Sequence, residues 1–490
     1  MLFKPLHSLR ATPRRAWFVF FALTLTVFAY LLLFRDALID DAFLTLRYVE
    51  TLYESGTWGF YAHYPSNTAT SPLNVLLLTA FTFITRAPLE SVLWLTLIQM
   101  IVLAWLLREI ATLLGLPLWS WLVFVAFSAN PLLMSTLGLE SILFTTLFVA
   151  AIYFYLKKRF DALALTCALL TLTRAEGILV LLVFLFLLPS LRARIRALVL
   201  FALLLAPWYL FSWIRLGSFL PDTFIYKTRQ SWGTISFWNG MMLYARRFPL
   251  EIFLTFFFLP FAALAWLRPV RHYRSLVLVL VGATGLHFLG YTLLRVPPYH
   301  WYYVPEVVGI LLLGALTLAA MRQNAHTRFE RMLWTILVAL AFLIPLGGIL
   351  VLIARGGVPL REAFIHTNWA TPAQYRAAAE WVSQNQRGAT IRMEGEVGTL
   401  AYFCDCQLLD PFGERAWFTE FVERQRAGTD PLHRIWQVNF FWYKPQPYFP
   451  DAHFVLRGYN GVETVTDPYL TAWRISSKWV RHGWLTFSAP

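Results

Sequence analysis

Two adjacent aspartates, Asp40 and Asp41, stand directly after a long apolar run, in the stretch LIDDAFLTLRYVE at 38–50. A helix beginning near Asp40 would carry Arg47 on the same face, two turns away. One aspartate could cap that helix. The second would then remain beside lipid, where a carboxylate can take a proton from a hydroxyl as a general base. We expect Asp40 to be the base and Asp41 to be the cap or a supporting group.

The same helix is predicted to lie along the membrane interface. An apolar stripe would run along one side, as is typical of such helices, formed by Ala42, Leu46, Val49 and Tyr53. Three further charges fall at the ends of apolar runs: Glu140 in GLES, and Arg174 and Glu176 in TRAEG. Charges at that depth mark a polar cavity or pathway, which these residues would line together with Arg47 and Tyr302. The alternative is a structural ion pair between neighbouring helices, and for Arg174 with Glu176 both interpretations have equal weight.

Four cationic side chains lie in two segments that also contain prolines and aromatics: Lys227 and Arg229 in FIYKTRQ, and Arg295 and His300 in RVPPYHWYY. Cations at a membrane interface could bind the phosphate of an anionic lipid. The alternative is that they extend to ordinary head groups. Lys227 is the strongest candidate, because its flanking residues indicate an ordered loop. Tyr302 could instead belong to a belt of interfacial aromatics.

The elements that must position these residues are membrane helices. The chain has 490 residues, of which 58% are hydrophobic and only 14% charged. A soluble protein would carry about a quarter charged residues, so a polytopic α-helical membrane protein is indicated. Eleven segments are predicted to cross: 16–34, 90–107, 118–137, 139–156, 160–174, 177–190, 195–214, 250–267, 275–294, 303–320 and 332–353. They make up a transmembrane domain over 1–353.

The distribution of Lys and Arg predicts the orientation. Basic residues should concentrate on the cytoplasmic side, and the basic clusters satisfy this rule only if segment 71–87 lies on the outer surface instead of crossing. The predicted cytoplasmic segments then carry an excess of basic residues equal to the net charge of the whole chain, +14. The N-terminus is therefore predicted to be cytoplasmic and the first outer loop, 35–89, extracytoplasmic. The high pI needs no nucleic-acid partner.

A less apolar region, 354–490, is predicted to be a small extracytoplasmic α/β domain. YRAAAEWVSQ is typical of a helix, and ATIRMEGEVGTLAYF with CQLLDPFG of a strand, a glycine turn and another strand. Cys404 and Cys406 are close enough for metal or redox chemistry, but no second pair accompanies them. Ordinary strand residues are the favoured interpretation.

The order of these motifs resembles that of the GT-C glycosyltransferases. The resemblance covers most of the chain and rests on DDAFLTLRY, TSPL, GLES, TRAEG, LPDTFIYK, PPYHWYY, GEVGTLAYF and LLDPFG. The chain is similar to bacterial families of the arabinofuranosyltransferase or mannosyltransferase type. Two departures weaken any transfer of substrate identity: Ala175, where relatives often have proline, and Asp222, where they often have asparagine.

The resemblance implies an activity. A sugar would pass from a polyprenyl-phosphate donor to an envelope glycan, lipid or protein acceptor, on the outer face of the inner or plasma membrane. An acidic residue of the first outer loop, Asp40 or Asp41, would be the base, and the anomeric centre would invert. No cofactor is required. A divalent cation could bind the paired aspartates, although nothing in the sequence demands one.

Two other classes of protein could also place charges in a membrane. A transporter or flippase of lipid-linked sugars would more often show inverted repeats and helices broken by Gly or Pro at matching positions. Neither feature is found in the sequence. A non-catalytic envelope scaffold would use the C-terminal region as a binding module.

Overall fold

A computed structural model describes residues 28–29, 31–62, 64–410, 415–445, 452–460 and 470–490. Most of the first predicted span, 16–34, lies outside this part of the chain. The helices up to residue 211 are α1 Asp40–Ser55, α2 Pro72–Thr85, α3 Pro88–Leu114, α4 Pro117–Ser128, α5 Pro131–Met134, α6 Ser141–Leu156, α7 Phe160–Thr173, α8 Gly177–Leu187 and α9 Leu191–Phe211. Those up to residue 356 are α10 Asp222–Arg229, α11 Gly240–Arg247, α12 Pro249–Thr255, α13 Leu259–Ala263, α14 Arg274–Leu293, α15 Val304–Gln323 and α16 Arg328–Gly356.

Proline and glycine set several of these helix ends. Pro72, Pro88 and Pro117 occupy the first helical positions of α2, α3 and α4, where the missing N–H costs no helical hydrogen bond. Gly56 and Gly115 end α1 and α3 in the left-handed conformation, with φ of 70° and 68°. The helix predicted to start at TSPL is therefore confirmed.

The chain is a multi-pass membrane protein. Five described helices are long and apolar enough to cross a bilayer: Pro88–Leu114, Leu191–Leu216, Arg274–Leu293, His300–Gln323 and Arg328–Gly356. Shorter apolar helices coincide with the other predicted crossings after the first: Pro117–Ser128, Ser141–Leu156, Phe160–Thr173, Gly177–Leu187 and Pro249–Ala263. The total of eleven crossings, and the position of α2 on the outer surface, stay predictions.

The C-terminal region alternates helices with a five-stranded sheet. The helices are α17 Pro372–Asn385, α18 Gly398–Phe403, α19 Ala416–Ala427 and α20 Pro431–Asn439, and the strands are β1 Thr390–Glu394, β2 Gln407–Leu409, β3 Phe454–Asn460, β4 Thr471–Ile475 and β5 Gly483–Ser488. The strand order is β2-β1-β3-β5-β4. The pairs of β1 with β2 and β3 are parallel, and those of β5 with β3 and β4 are antiparallel. Trp381 of α17 packs edge to face on Phe487 of the sheet.

Two sequence-based expectations for this region were wrong in detail. TLAYF, which falls within the segments predicted to form a strand, a glycine turn and another strand, belongs to helix α18, because a tertiary contact described below satisfies the first backbone N–H groups of that helix. Cys404 and Cys406 are not ordinary strand residues. They form a disulfide with each other, two residues apart in the chain, with a Cα–Cα distance of 5.2 Å.

Helix α1 packs into protein. Ala42, Leu46 and Val49 have no exposed surface. A Cβ on Gly138 would come within 2.8 Å of the Ala42 Cβ, so the glycine permits a close approach of the chain to α1. The expectation that this stripe faces the membrane interface was therefore wrong. An apolar stripe does not by itself distinguish lipid from protein as its partner, since both bury the same surface.

A buried network of hydrogen bonds joins the predicted first outer loop, the segment before α10 and the C-terminal region. Asn67 donates from Nδ2 to Ser212 Oγ at 3.0 Å and to the Leu220 carbonyl at 3.1 Å. The Asp222 backbone N–H donates to the Asn67 carbonyl at 2.7 Å. Arg415 donates from Nε and Nη2 to the two Asp222 carboxylate oxygens, at 2.6 and 2.9 Å. This bidentate pair holds the first residue of α10 against the C-terminal region.

Candidate active site

Asp40 is fully engaged with the C-terminal region. Its Oδ2 accepts a hydrogen bond from the Gly398 backbone N–H at 2.8 Å, and its Oδ1 accepts from the Thr399 N–H at 2.7 Å and the Thr399 hydroxyl at 2.9 Å. Burial raises the pKa of Asp40 to about 6, while the bonds from Thr399 and Gly398 act in the opposite direction. Ile39 is the N-cap residue of α1 and no side chain caps that helix end. Neither aspartate therefore has the predicted capping role on its own helix.

Asp41 differs from its neighbour. Its side chain is half-buried, and within the described part of the chain no ion pair holds the carboxylate, which has a hydrogen bond from its own backbone N–H. Burial raises the pKa of Asp41, and the positive charge of Lys227 opposes that rise. Asp41 thus keeps more proton-accepting capacity than Asp40, whose two oxygens accept hydrogen bonds from residues 398 and 399.

Lys227 lies in the last turn of α10 and is half-buried. Its Nζ is 4.0 Å from the centre of the Tyr299 ring, a cation–π contact. Burial disfavours the charge on Lys227, but interactions with Tyr299 and then Asp41 outweigh burial and raise its pKa. The ammonium is therefore charged at neutral pH, within electrostatic range of Asp41 and Tyr302.

The buried charges Glu140, Arg174 and Glu176 form one cluster. Arg174 Nη1 lies 2.8 Å from Glu140 Oε1, and its Nε pairs with Glu176. Tyr291 donates to Glu176 Oε1 at 3.0 Å. Arg174 and Glu176 therefore form an ion pair, which extends to Glu140. Their predicted place along a polar cavity stays a prediction. The Arg174 guanidinium is also 5.5 Å from the centre of the Tyr302 ring. Because Tyr302 also interacts with Lys227, this tyrosine links the charged cluster to Lys227.

Four other predicted site residues lie elsewhere. Arg47 pairs with Glu50 at 2.6 Å, and Arg229 stacks on Phe421 with a guanidinium-to-ring distance of 4.2 Å. Arg295 is exposed and has a φ of 51°. His300 is fully buried, and neither ring nitrogen has a hydrogen-bond partner among the described residues. Lys227, and none of these four, is the cation whose charge acts on Asp41 in the described part of the chain. The predicted roles of the four remain predictions.

Sequence reasoning missed Tyr299, Tyr291, His287 and Glu306. His287 Nδ1 lies 2.6 Å from Glu306 Oε1, and His287 Nε2 lies 3.6 Å from Glu176 Oε1. A signal was available, because His287 and Glu306 are ionisable residues inside predicted spans, and such residues are costly there. Tyr299 had no comparable signal, since interfacial tyrosines are common.

In the described ranges, no three His, Cys, Asp or Glu side chains come together as a group that could hold a metal ion. Both Asp40 oxygens already accept hydrogen bonds, so a cation at the aspartate pair would rely mainly on Asp41. The predicted independence from a metal stays a prediction.

Comparison with solved structures identifies the fold. No protein-family profile and no curated protein sequence matches the chain. The structure of ArnT from Cupriavidus metallidurans bound to undecaprenyl phosphate matches 97% of this chain and 98% of its own length, at 15% identity and a TM-score of 0.59. Its apo form matches with the same TM-score at 14% identity, over the same 97% and 98%. Mycobacterial arabinofuranosyltransferase AftD matches 98% of this chain and 40% of its own, at 14% identity and a TM-score of 0.51.

The fold class follows from these matches. The chain has the GT-C fold, as the order of its motifs predicted. More particularly, the match to ArnT extends over nearly the whole of both chains, so the C-terminal region is included in the similarity.

Proposed function

We propose that this protein is a membrane glycosyltransferase that moves a sugar from a polyprenyl-phosphate donor to an acceptor hydroxyl on the outer face. The observation that carries the proposal is the pair of Asp41 and Lys227. A carboxylate with no hydrogen bond from another described residue lies within electrostatic range of a half-buried ammonium, in a chain with the GT-C fold. The undecaprenyl phosphate bound by ArnT supports the donor class.

The oxygen of the acceptor hydroxyl would attack the anomeric carbon of the donor sugar, and Asp41 would accept the proton of that hydroxyl. The bond between that carbon and the phosphate oxygen would break, and its electron pair would leave with the polyprenyl phosphate. Lys227 would stabilise the negative charge that develops on the leaving group. A single displacement of this kind inverts the anomeric centre. Because the acid and the cation lie on separate elements, α1 and α10, the donor phosphate and the acceptor could bind from different sides.

The Cys404–Cys406 disulfide supports an outer-face assignment for the C-terminal region. Disulfides persist in oxidising compartments and are rare in the cytosol. The basic residues of the predicted cytoplasmic segments support the same orientation, independently of the disulfide. The proposed location is the inner or plasma membrane, with the N-terminus in the cytoplasm.

Reporter fusions test this orientation. A periplasmic reporter such as alkaline phosphatase, fused after residue 88 or at the C-terminus, is expected to be active at both positions. The reason is that α2 does not cross in this arrangement, so every later basic cluster faces the cytoplasm. A fusion after Lys158 is the matched control and should be inactive. Activity only from a cytoplasmic reporter at residue 88 would contradict the eleven-crossing arrangement.

The transfer reaction itself can be measured with purified protein in liposomes. Radiolabelled polyprenyl-phosphate sugars of several kinds, supplied with envelope extract, should pass label to an acceptor fraction and release the polyprenyl phosphate. Asp41→Asn, inserted in the same amount, is the control for contaminating activity. Movement of intact donor between leaflets without release of the sugar would identify a transporter or flippase instead. Binding of envelope components without either process would identify a scaffold.

A further inference from the structure

We propose that Asp40 is a positioning residue, and that the C-terminal region holds the base in place through it. The set of contacts from Gly398 and Thr399 to Asp40, together with Glu396 behind them, is named here the Asp40 clamp. This inference rests on the proposed function, because it concerns how Asp41 is presented to the substrate. It gives the C-terminal region a part in catalysis, as opposed to a separate binding role.

The fit of Gly398 against Asp40 is the first observation. A Cβ on Gly398 would lie 2.1 Å from the Asp40 carbonyl oxygen and 3.0 Å from Oδ2. Only glycine therefore allows the two backbones to approach this closely. This close approach allows three donors to reach one buried carboxylate. They are the backbone N–H groups of residues 398 and 399 and the Thr399 hydroxyl, and each donates one hydrogen bond. Hydrogen bonds to an ionised acceptor are the stronger kind.

Behind this contact, Glu396 joins three further groups. Its Oε1 accepts from Asn368 Nδ2 at 2.9 Å, and its Oε2 accepts from the Trp369 N–H at 2.9 Å and the Tyr375 hydroxyl at 2.6 Å. Asn368 returns to Asp40, because its Oδ1 accepts from the Asp40 backbone N–H at 3.3 Å. The Asp40 backbone and side chain are thus held from two sides by one connected network.

The consequence concerns Asp41, which follows Asp40 in the first turn of α1. The Asp41 carboxylate has a hydrogen bond from its own backbone N–H and none from another described residue, so the backbone orients it. A displacement of about 1 Å can cost roughly 10²-fold in rate, since a base must lie within hydrogen-bond reach of its proton. Fixing residue 40 is therefore the means of fixing residue 41.

Three threonine variants test the clamp. Thr399→Val keeps the size of the side chain and removes only its donor, so kcat should fall about tenfold, as expected for one hydrogen bond to a charged group. The donor KM should change less than twofold, because Lys227 is untouched. Thr399→Ser retains the hydroxyl and should restore the wild-type kcat. Thr486→Val is the matched control, since Thr486 is also a buried threonine of this region but donates only weakly, at 3.5 Å, to the Arg457 carbonyl.

A second pair of variants reaches the outer part of the network. Glu396→Gln puts an amide where three donors converge, and is expected to lower kcat several-fold. Glu394→Gln is its control, because Glu394 lies two residues earlier in an exposed ion pair with Arg457, and it should leave kcat unchanged. Equal effects of the two glutamate variants, or a wild-type kcat in Thr399→Val, would overturn the proposal. So would a fall in kcat that Thr399→Ser fails to restore.

Amide hydrogen exchange separates this proposal from the proposed function, since it needs no substrate. Exchange at residues 40–43 should quicken in Thr399→Val and not in Thr486→Val. Faster exchange in a protein whose wild type transfers no sugar would leave the clamp standing and refute the glycosyltransferase. Unchanged exchange would refute the clamp, whatever the activity.

Discussion

Asp41→Asn is expected to lower the rate of sugar transfer by about 10² to 10⁴-fold, the usual cost of losing a general base. Asparagine has the size of aspartate but does not accept a proton at neutral pH. The donor KM should change little, since Lys227 is the residue proposed to bind the phosphate. The measurement is single-turnover transfer from a labelled donor, with wild type and variant inserted in equal amounts.

The acid limb of the pH profile provides a second measurement. Burial raises the pKa of Asp41 above its usual 3.8. A base acts only when ionised, so the wild-type rate should fall as the pH drops through that raised pKa. The residual rate of Asp41→Asn should not fall with pH in that range.

Asp40→Asn distinguishes the two aspartates. It replaces one acceptor oxygen of the clamp by an amide that faces backbone donors, so a fall of about 10 to 10²-fold is expected. The acid limb that Asp41 produces should remain. The sequence-based choice of Asp40 as base would be upheld instead if Asp40→Asn were the more damaging change and removed that limb. Full activity in both variants would make the pair structural and the mechanism wrong.

Lys227→Met is expected to have the second largest effect. The substitution keeps an unbranched side chain on the Tyr299 ring but removes the charge that would oppose the developing phosphate anion. Loss of such preorganised stabilisation costs about 10² to 10³-fold in kcat. The donor KM should rise as well, because the ground-state phosphate loses the same contact.

Arg229→Met is the matched control for Lys227→Met. It also removes a cation from α10, yet Arg229 stacks on Phe421, and its loss should change transfer less than threefold. Lys227→Arg should retain part of the wild-type rate. The positive charge remains, but the planar guanidinium of arginine is shaped differently from the compact ammonium of lysine. Equal losses of rate in Lys227→Met and Arg229→Met would show that removing any positive charge from α10 slows transfer, and that Lys227 has no special role. An unchanged donor KM in Lys227→Met would favour the alternative that Lys227 only extends to ordinary lipid head groups.

The positions of the membrane helices could be predicted from sequence because long apolar runs have few structural solutions. A run of about 20 apolar residues in lipid must satisfy its backbone internally, and a helix does so locally. The helix starts at Pro72 and Pro88 were equally local, since proline at the first turn needs no partner elsewhere. The order of motifs added the fold class, which the match to ArnT supports at only 15% identity.

The partners of each charge were decided by tertiary structure. Asp40 and Asp41 are neighbours of the same type, and no local rule separates them. Asp40 meets Gly398 and Thr399 across more than 350 residues of chain, and that contact leaves Asp41 as the carboxylate without a hydrogen bond from another described residue.

The same reasoning applies to the elements around the site. Residues Gly398–Phe403 form a helix because Asp40 satisfies the first N–H groups, a condition that is absent from the local sequence. The stripe of α1 could face lipid or protein, since both reward burial of apolar surface equally. Apolar periodicity and charge distribution are local properties, and the sequence alone determined what depends on them. Hydrogen bonds and ion pairs depend on which distant segments meet, and only the folded chain decided those.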